Sequence, residues 1–312
     1  ANAADFEELR KVLGYKKWNL FGGSYGSRSG FTIMRDFPSS VRSAVFTGVF
    51  APETNLMNGY IQNFENSFFS VLERCEKDKD CNSRYPNLKE RFLKTLKKMR
   101  TAPLHLNYEG DLFVINAQDA FVLIHLSLYD RQSIVNIPRL IEAFENGDPE
   151  PIRNAIKVVE YLHDFLNFSV HYSLMAYEEF PFYDAAAMEK SFKQSMLIEF
   201  EPASFFSGTE LMANWHTYRA TDFENQPVVS EIPTLMASGG LDPVTPVSNA
   251  KVALKHLNNG YGIVFPDEGH NIINPCFFQI TEDFLNDPTQ KPDSECSNER
   301  KPLEWNLSNP LQ

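Results

Sequence analysis

The stretch Lys17-Trp18-Asn19-Leu20-Phe21-Gly22-Gly23-Ser24-Tyr25-Gly26-Ser27 decides the fold. It reads as a strand over Lys17 to Phe21 that breaks at a Gly-x-Ser-x-Gly turn and then enters a helix. In such an elbow the serine backbone is forced into a strained turn, which lifts its Oγ above the sheet. Gly22 and Gly26 are expected where a Cβ would collide with the neighbouring strand and helix. The same turn aims the backbone N–H of Tyr25 at the reaction centre, as one half of an oxyanion hole.

Working outward, residues 5–13 read as a short amphipathic helix ended by Gly14. A second helix is expected from Ser27 to about Asp36, stopped by Pro38. Val41 to Thr47 is rich in β-formers and reads as the next buried parallel strand, which completes a βαβ unit. From Pro52 the character changes. Residues 58–74, 87–100, 117–129, 136–146, 149–168 and 184–197 carry helical periodicity, interrupted by one hairpin, Leu104–Tyr108 and Leu112–Ile115 about Glu109-Gly110-Asp111. This block is rich in Phe and Tyr, as a helical core or as an aromatic-lined substrate chamber. The α/β pattern resumes with a strand over Ile232 to Ser238, a helix from Val247 to Leu257, a strand Tyr261–Phe265 and a helix from Cys276 to Leu285. The pattern predicts one α/β domain in two segments, 1–51 and 226–312, with a mainly helical insertion at 52–225 as a lid over the carboxyl ends of the strands.

The chain has 312 residues and is 43% hydrophobic and 22% charged, with ample apolar material for a core. A net charge of −12 argues against nucleic acid or an anionic membrane as main partner. The basic run Lys94 to Arg100 alternates with apolar residues at helical spacing, as on a solvated helix face. No apolar run approaches the ~18 residues that a membrane span needs. The four cysteines, Cys75, Cys81, Cys276 and Cys296, permit three pairings. Cys75 and Cys81 flank a charged loop, while Cys276 and Cys296 bracket a helix and a Pro-containing tail. Disulfides within each half of the chain, and an oxidising compartment, are expected. No histidine completes a metal site, and no cofactor is expected.

Acyl transfer by a serine needs a base to take its proton and a carboxylate to orient that base. Asp242 follows one predicted strand, in Leu241-Asp242-Pro243-Val244-Thr245-Pro246, and His270 follows the next, in Gly269-His270-Asn271. Ser24, Asp242 and His270 thus stand in the order Ser, Asp, His, each on a loop after a strand. The other histidines (His105, His125, His163, His171, His216, His256) fall inside helix or strand patterns. Asp267 and Glu268 precede His270 too closely to face its ring.

Lys17 to Gly26 resembles the elbow of the prolyl aminopeptidases and of the secreted tripeptidyl aminopeptidases, which are α/β hydrolases. Pro233-Thr234-Leu235, Gly240 to Pro246, Gly269-His270, Cys276 and Cys296 resemble the C-terminal segment of the tripeptidyl branch. The resemblance implies an α/β-hydrolase fold, serine exopeptidase chemistry on a peptide with a free N-terminus, export to the periplasm or medium, and a Cys276–Cys296 disulfide. It also implies lid carboxylates that hold the substrate ammonium. Ser173 to Phe182 resembles such a lid segment, with Ala176 where relatives often carry cysteine. Glu178 aligns with its acidic position, and Glu179, Glu199 and Glu201 are further options. An esterase using the same triad, or a catalytically dead binding protein, are the competing expectations.

The family sheet has eight strands with the nucleophile after the fifth. Only one strand precedes Ser24 here, and the second oxyanion donor belongs to an upstream loop. The chain is therefore expected to be the C-terminal portion of a longer protein, poorly soluble or inactive alone.

Overall fold

A computed structural model describes residues 2–200, 208–215, 218–299 and 302–308. Glu201 and His216 lie outside the described residues. Six strands occur among them: β1 Trp18–Gly23, β2 Val41–Thr47, β3 Leu104–Tyr108, β4 Asp111–Ile115, β5 Thr234–Gly239 and β6 Gly260–Phe265. The chain forms two compact units, Ala1–Leu56 with Arg219–Pro302, and Met57–Tyr218 with Leu303–Gln312.

The first unit is built on a four-stranded sheet of order β1-β2-β5-β6, parallel throughout. The residues of β2 divide between its two faces. Ala44 and Phe46 join Phe31, Met34, Met236 and Ala250 under one layer of helices. Val45 joins Leu235, Ala237, Ile263, Phe265, Phe277 and Phe284 under the other. A strand buried on both faces must be apolar on both, which is why Val41 to Thr47 reads as a continuous β-rich run. The helix Tyr25–Asp36 approaches the sheet at Gly30, where a Cβ would stand 2.3 Å from the Phe46 ring. Register aligns the strand ends, with Gly23 opposite Thr47, Thr47 opposite Ala237, and Gly239 opposite Phe265. The segments that follow these strands therefore emerge at the carboxyl end of the sheet.

The second unit is mainly helical, with the antiparallel hairpin β3–β4. Phe64, Phe68, Phe92 and Phe121 are buried and in ring contact, so these aromatics of the block are core. The helices Lys79–Arg84, Phe168–Leu174 and Thr209–Trp215 were not foreseen from periodicity. Each is two turns or less, too short for a 3.6-residue pattern to register. The first begins inside the charged loop between Cys75 and Cys81, because Asp78 caps it by accepting from the N–H groups of Asp80 and Cys81. Both local cysteine pairs are disulfides, Cys75–Cys81 and Cys276–Cys296. The tail from Leu303 belongs to this helical unit. There Tyr85 donates to the Asn306 carbonyl (2.8 Å), and the Asn306 amide donates to Asn136 Oδ1 (2.7 Å). Among the described residues no helix is long and apolar enough to cross a membrane.

Candidate active site

Ser24 joins β1 to the helix Tyr25–Asp36 with φ 53 and ψ −124, a conformation that residues with a Cβ rarely adopt. Holding it there costs about 1–3 kcal/mol. Three hydrogen bonds enforce it. The Ser24 N–H donates to the Thr47 carbonyl (3.0 Å), while the Ser27 N–H and hydroxyl both donate to the Ser24 carbonyl (2.9 and 2.6 Å). Gly22 is required as expected, since its Cβ would stand 2.5 Å from the Gly26 carbonyl oxygen. Gly26 is not. A Cβ there meets nothing within 4 Å, because its Hα points to open space while the close approach is made by its carbonyl. Tyr25 is the first helical residue, so its backbone N–H stands at the positive end of the helix dipole.

Asp242 and His270 come together on the loops after β5 and β6. The two loops pack backbone to backbone. A Cβ on Gly239 would lie 1.9 Å from the Gly269 carbonyl oxygen, and one on Gly240 would lie 2.5 Å from that of Pro266. The Leu241 N–H donates to the Glu268 carbonyl (2.9 Å). Glycine pairs at these two positions are what let the loops touch.

His270 Nδ1 lies 2.9 Å from Asp242 Oδ2, and both side chains are buried. The N–H groups of Val244 and Thr245 donate to Oδ1 (2.8 and 2.9 Å), and the Thr245 hydroxyl donates to Oδ2 (2.6 Å). Burial is the largest single influence on the Asp242 carboxyl and pushes its pKa up. The His270 charge and hydrogen bond, together with the two from Thr245, outweigh it and hold the pKa below the ordinary value. Asp242 is therefore an ionised acceptor at neutral pH. Its partner atom His270 Nδ1 must then carry the proton, which leaves Nε2 as the basic nitrogen.

Ser24 and His270 are connected through the end of β2. Thr47 holds the Ser24 N–H, and the next residue, Gly48, lies against the His270 ring. At φ +51, a Cβ on Gly48 would stand 2.9 Å from His270 Cε1 and 3.2 Å from Thr245 Oγ1. Sequence reasoning assigned no role to Thr245 or Gly48. The available signals were the spacing Asp-x-x-Thr, which suits an Asx-type turn, and a glycine directly after a buried strand. Thr245 also approaches His270 Nδ1 (3.1 Å), so one hydroxyl braces Asp242 and His270 together. Thr245→Val should lower kcat/KM by roughly ten- to a hundredfold, the weight of about 1.5–3 kcal/mol for a hydrogen bond to a charged group. Steady-state kinetics on purified protein read this directly, and an unchanged kcat/KM would remove the brace from the scheme.

The remaining candidates lie in the helical unit. Glu178 and Glu179 sit on a π-turn, Met175–Glu179, where Glu179 is buried and Glu178 half-buried. Such turns widen a helix and recur at functional positions. Glu199 is exposed and pairs with Lys97 (3.4 Å). A cavity of about 730 Å³ in this unit is lined by Glu65, Phe69, Glu73, Glu76, Tyr85 and Leu93 among others, and by none of Ser24, Asp242 and His270. Among the other histidines, His256 lies in a turn rather than a helix, since the helix Val247–Leu254 ends before it.

The family model described as the alpha/beta hydrolase fold matches residues 2–273. The chain belongs to this family. Curated relatives match this alpha/beta hydrolase over short stretches. A proline iminopeptidase of Neisseria gonorrhoeae is 40% identical over 47 residues, 15% of this chain and 15% of the relative. The serine protease Hip1 of Mycobacterium tuberculosis (strain ATCC 25618 / H37Rv) is 28% identical over 82 residues, 25% of this chain and 16% of the relative. The matched part thus spans about one sixth of these relatives' length. Among solved structures, a thermophilic esterase from Thermogutta terrifontis aligns with TM-score 0.38 and 16% identity, over 92% of this chain and 72% of that one. The esterase EaEST from Exiguobacterium antarcticum aligns with TM-score 0.34 and 14% identity, over 92% and 72%.

Proposed function

We propose that this alpha/beta hydrolase is an exported serine aminopeptidase whose triad is Ser24, His270 and Asp242. The observation that carries the chemistry is the ionised, buried Asp242 bonded to His270 Nδ1, on loops at the sheet end where Ser24 stands at positive φ. The short likeness to a proline iminopeptidase and to a serine protease supports a peptide substrate. Two disulfides support an oxidising compartment.

In this scheme Ser24 Oγ attacks the scissile carbonyl carbon as His270 Nε2 takes the hydroxyl proton. The Tyr25 N–H donates to the oxyanion. Collapse of the tetrahedral adduct breaks the C–N bond, and His270 returns its proton to the leaving amine. Water, deprotonated by the same Nε2, then hydrolyses the acyl-enzyme and regenerates Ser24. Asp242 stays ionised throughout and balances the imidazolium. Glu178 and Glu179 are the proposed counter-charges for the substrate ammonium.

A substrate panel tests the peptidase class. Alanyl, prolyl and tripeptidyl anilides with free amines should be cleaved with kcat/KM at least tenfold above their N-acetylated counterparts. Turnover of N-blocked acyl esters with none of the free-amine peptides would make the protein an esterase with the same triad.

A further inference from the structure

Ser27 is fully buried, and its hydroxyl is used twice. It donates to the Ser24 carbonyl (2.6 Å) and accepts from the Phe50 N–H (2.9 Å). A hydroxyl carries one donor and two acceptor lone pairs, so both bonds are made at once. The first bond holds the elbow, and the second reaches the segment that leaves β2. That segment is held at its other end as well, because the Thr47 carbonyl accepts from the Ser24 N–H (3.0 Å). Thr47 to Phe50 is thus pinned to the elbow at both ends, with Gly48 and Val49 between the pins. Val49 and Phe50 are buried, and the Arg28 guanidinium lies 4.7 Å over the Phe50 ring.

The pinned segment carries the contact with His270. Gly48 has a left-handed φ of +51, and a Cβ there would stand 2.9 Å from His270 Cε1 and 3.3 Å from Nδ1. Asp242 and Thr245 hold the ring at Nδ1. The Gly48 backbone bounds it at Cε1, the carbon between the two ring nitrogens, and so bears on where Nε2 points. A misplacement of about 1 Å between reacting groups costs on the order of a hundredfold in rate. We infer that Ser27 is a positioning residue. Its hydroxyl sets the segment Thr47–Phe50, and through Gly48 the His270 ring, at a fixed place relative to Ser24. The role rests on the proposed Ser24–His270 chemistry and is the same for a peptide or an ester substrate. Neither bond of the Ser27 hydroxyl involves a reacting atom, so its effect is on geometry.

Ser27→Ala removes both bonds. On alanine p-nitroanilide, or on N-acetyl-alanine p-nitrophenyl ester if esters alone are cleaved, kcat should fall about ten- to a hundredfold with KM within about twofold. The second-order rate of labelling by a fluorophosphonate, which needs no peptide substrate, should fall in parallel. Gly48→Ala supplies a readout that a purely structural role does not move. Its methyl crowds the ring in the native background, whereas the loosened segment of Ser27→Ala yields to it. The loss in the double variant should therefore be at least about threefold smaller than the product of the two single losses. If the alanine variant folds poorly, Ser27→Cys keeps the volume with weaker hydrogen bonds, and its kcat should lie below the native value at unchanged KM. A melting temperature that drops while kcat and labelling rate stay unchanged would overturn the role and leave Ser27 purely structural. So would a double-variant loss equal to the product, because the two residues would then act independently. Turnover and labelling that survive Ser24→Ala, or that the native protein lacks, would instead refute Ser24 as nucleophile and this role with it.

Discussion

Ser24→Ala is expected to abolish turnover, lowering kcat by about a millionfold, the loss that follows removal of the nucleophile of a serine triad. That factor corresponds to about 8 kcal/mol of transition-state stabilisation. The residual rate, from oxyanion and binding contributions alone, lies near the detection limit of a chromogenic assay. Labelling by a fluorophosphonate disappears with it, because the reagent needs an activated hydroxyl at this one position. The fold should survive, since the hydrogen bonds that hold the elbow use the Ser24 backbone and not its Oγ. Persistent labelling of a folded Ser24→Ala protein would move the nucleophile elsewhere and dissolve the triad.

Asp242→Asn should lower kcat by about ten-thousandfold at neutral pH, with KM little changed. An asparagine in this position can present an N–H to His270 Nδ1. The imidazole then turns to the tautomer with its proton on Nε2, and the base that Ser24 requires is lost. The same substitution changes the acid stability of the fold. The Asp242 pKa is depressed in the folded state, below the 3.8 of an unperturbed carboxyl. A depressed carboxyl contributes stability that is fully present above the unfolded value and lost as pH falls through the folded one. Urea unfolding of the native protein should therefore weaken below about pH 4, and Asp242→Asn should flatten that part of the profile. An acid limb identical in the two proteins would mean that Asp242 is not held ionised by its neighbours.

Much of the first unit was legible because parallel strands buried on both faces must be apolar throughout. Val41 to Thr47 reads correctly to the residue, and the strands ending in Gly23, Gly239 and Phe265 fall within two residues of expectation. The positions of Ser24, Asp242 and His270 at the strand ends were legible for a related reason: each follows a strand directly, so local pattern carries its placement. The brace was not. Thr245 matters because its hydroxyl reaches both Asp242 and His270, and His270 arrives from a loop 25 residues away. Gly48 matters because a ring from another strand's loop lies against it. Gly26 failed in the opposite sense, since the motif led to an expected clash that the direction of its Hα avoids.

In the helical unit the long amphipathic helices were legible and the short ones were not. Lys79–Arg84 owes its start to a capping side chain, and Met175–Glu179 winds as a π-turn that no periodicity announces. By itself the sequence determined which residues are strands, which serine stands on an elbow, and that Asp242 and His270 follow the next two strands of the sheet in order, because those depend on neighbours along the chain. Only the tertiary structure decided that Asp242 stays charged while buried and that one threonine hydroxyl reaches both Asp242 and His270. Each of those depends on which groups from distant segments share a low-dielectric space, and the free energy of a charge is set by that company rather than by its place in the chain.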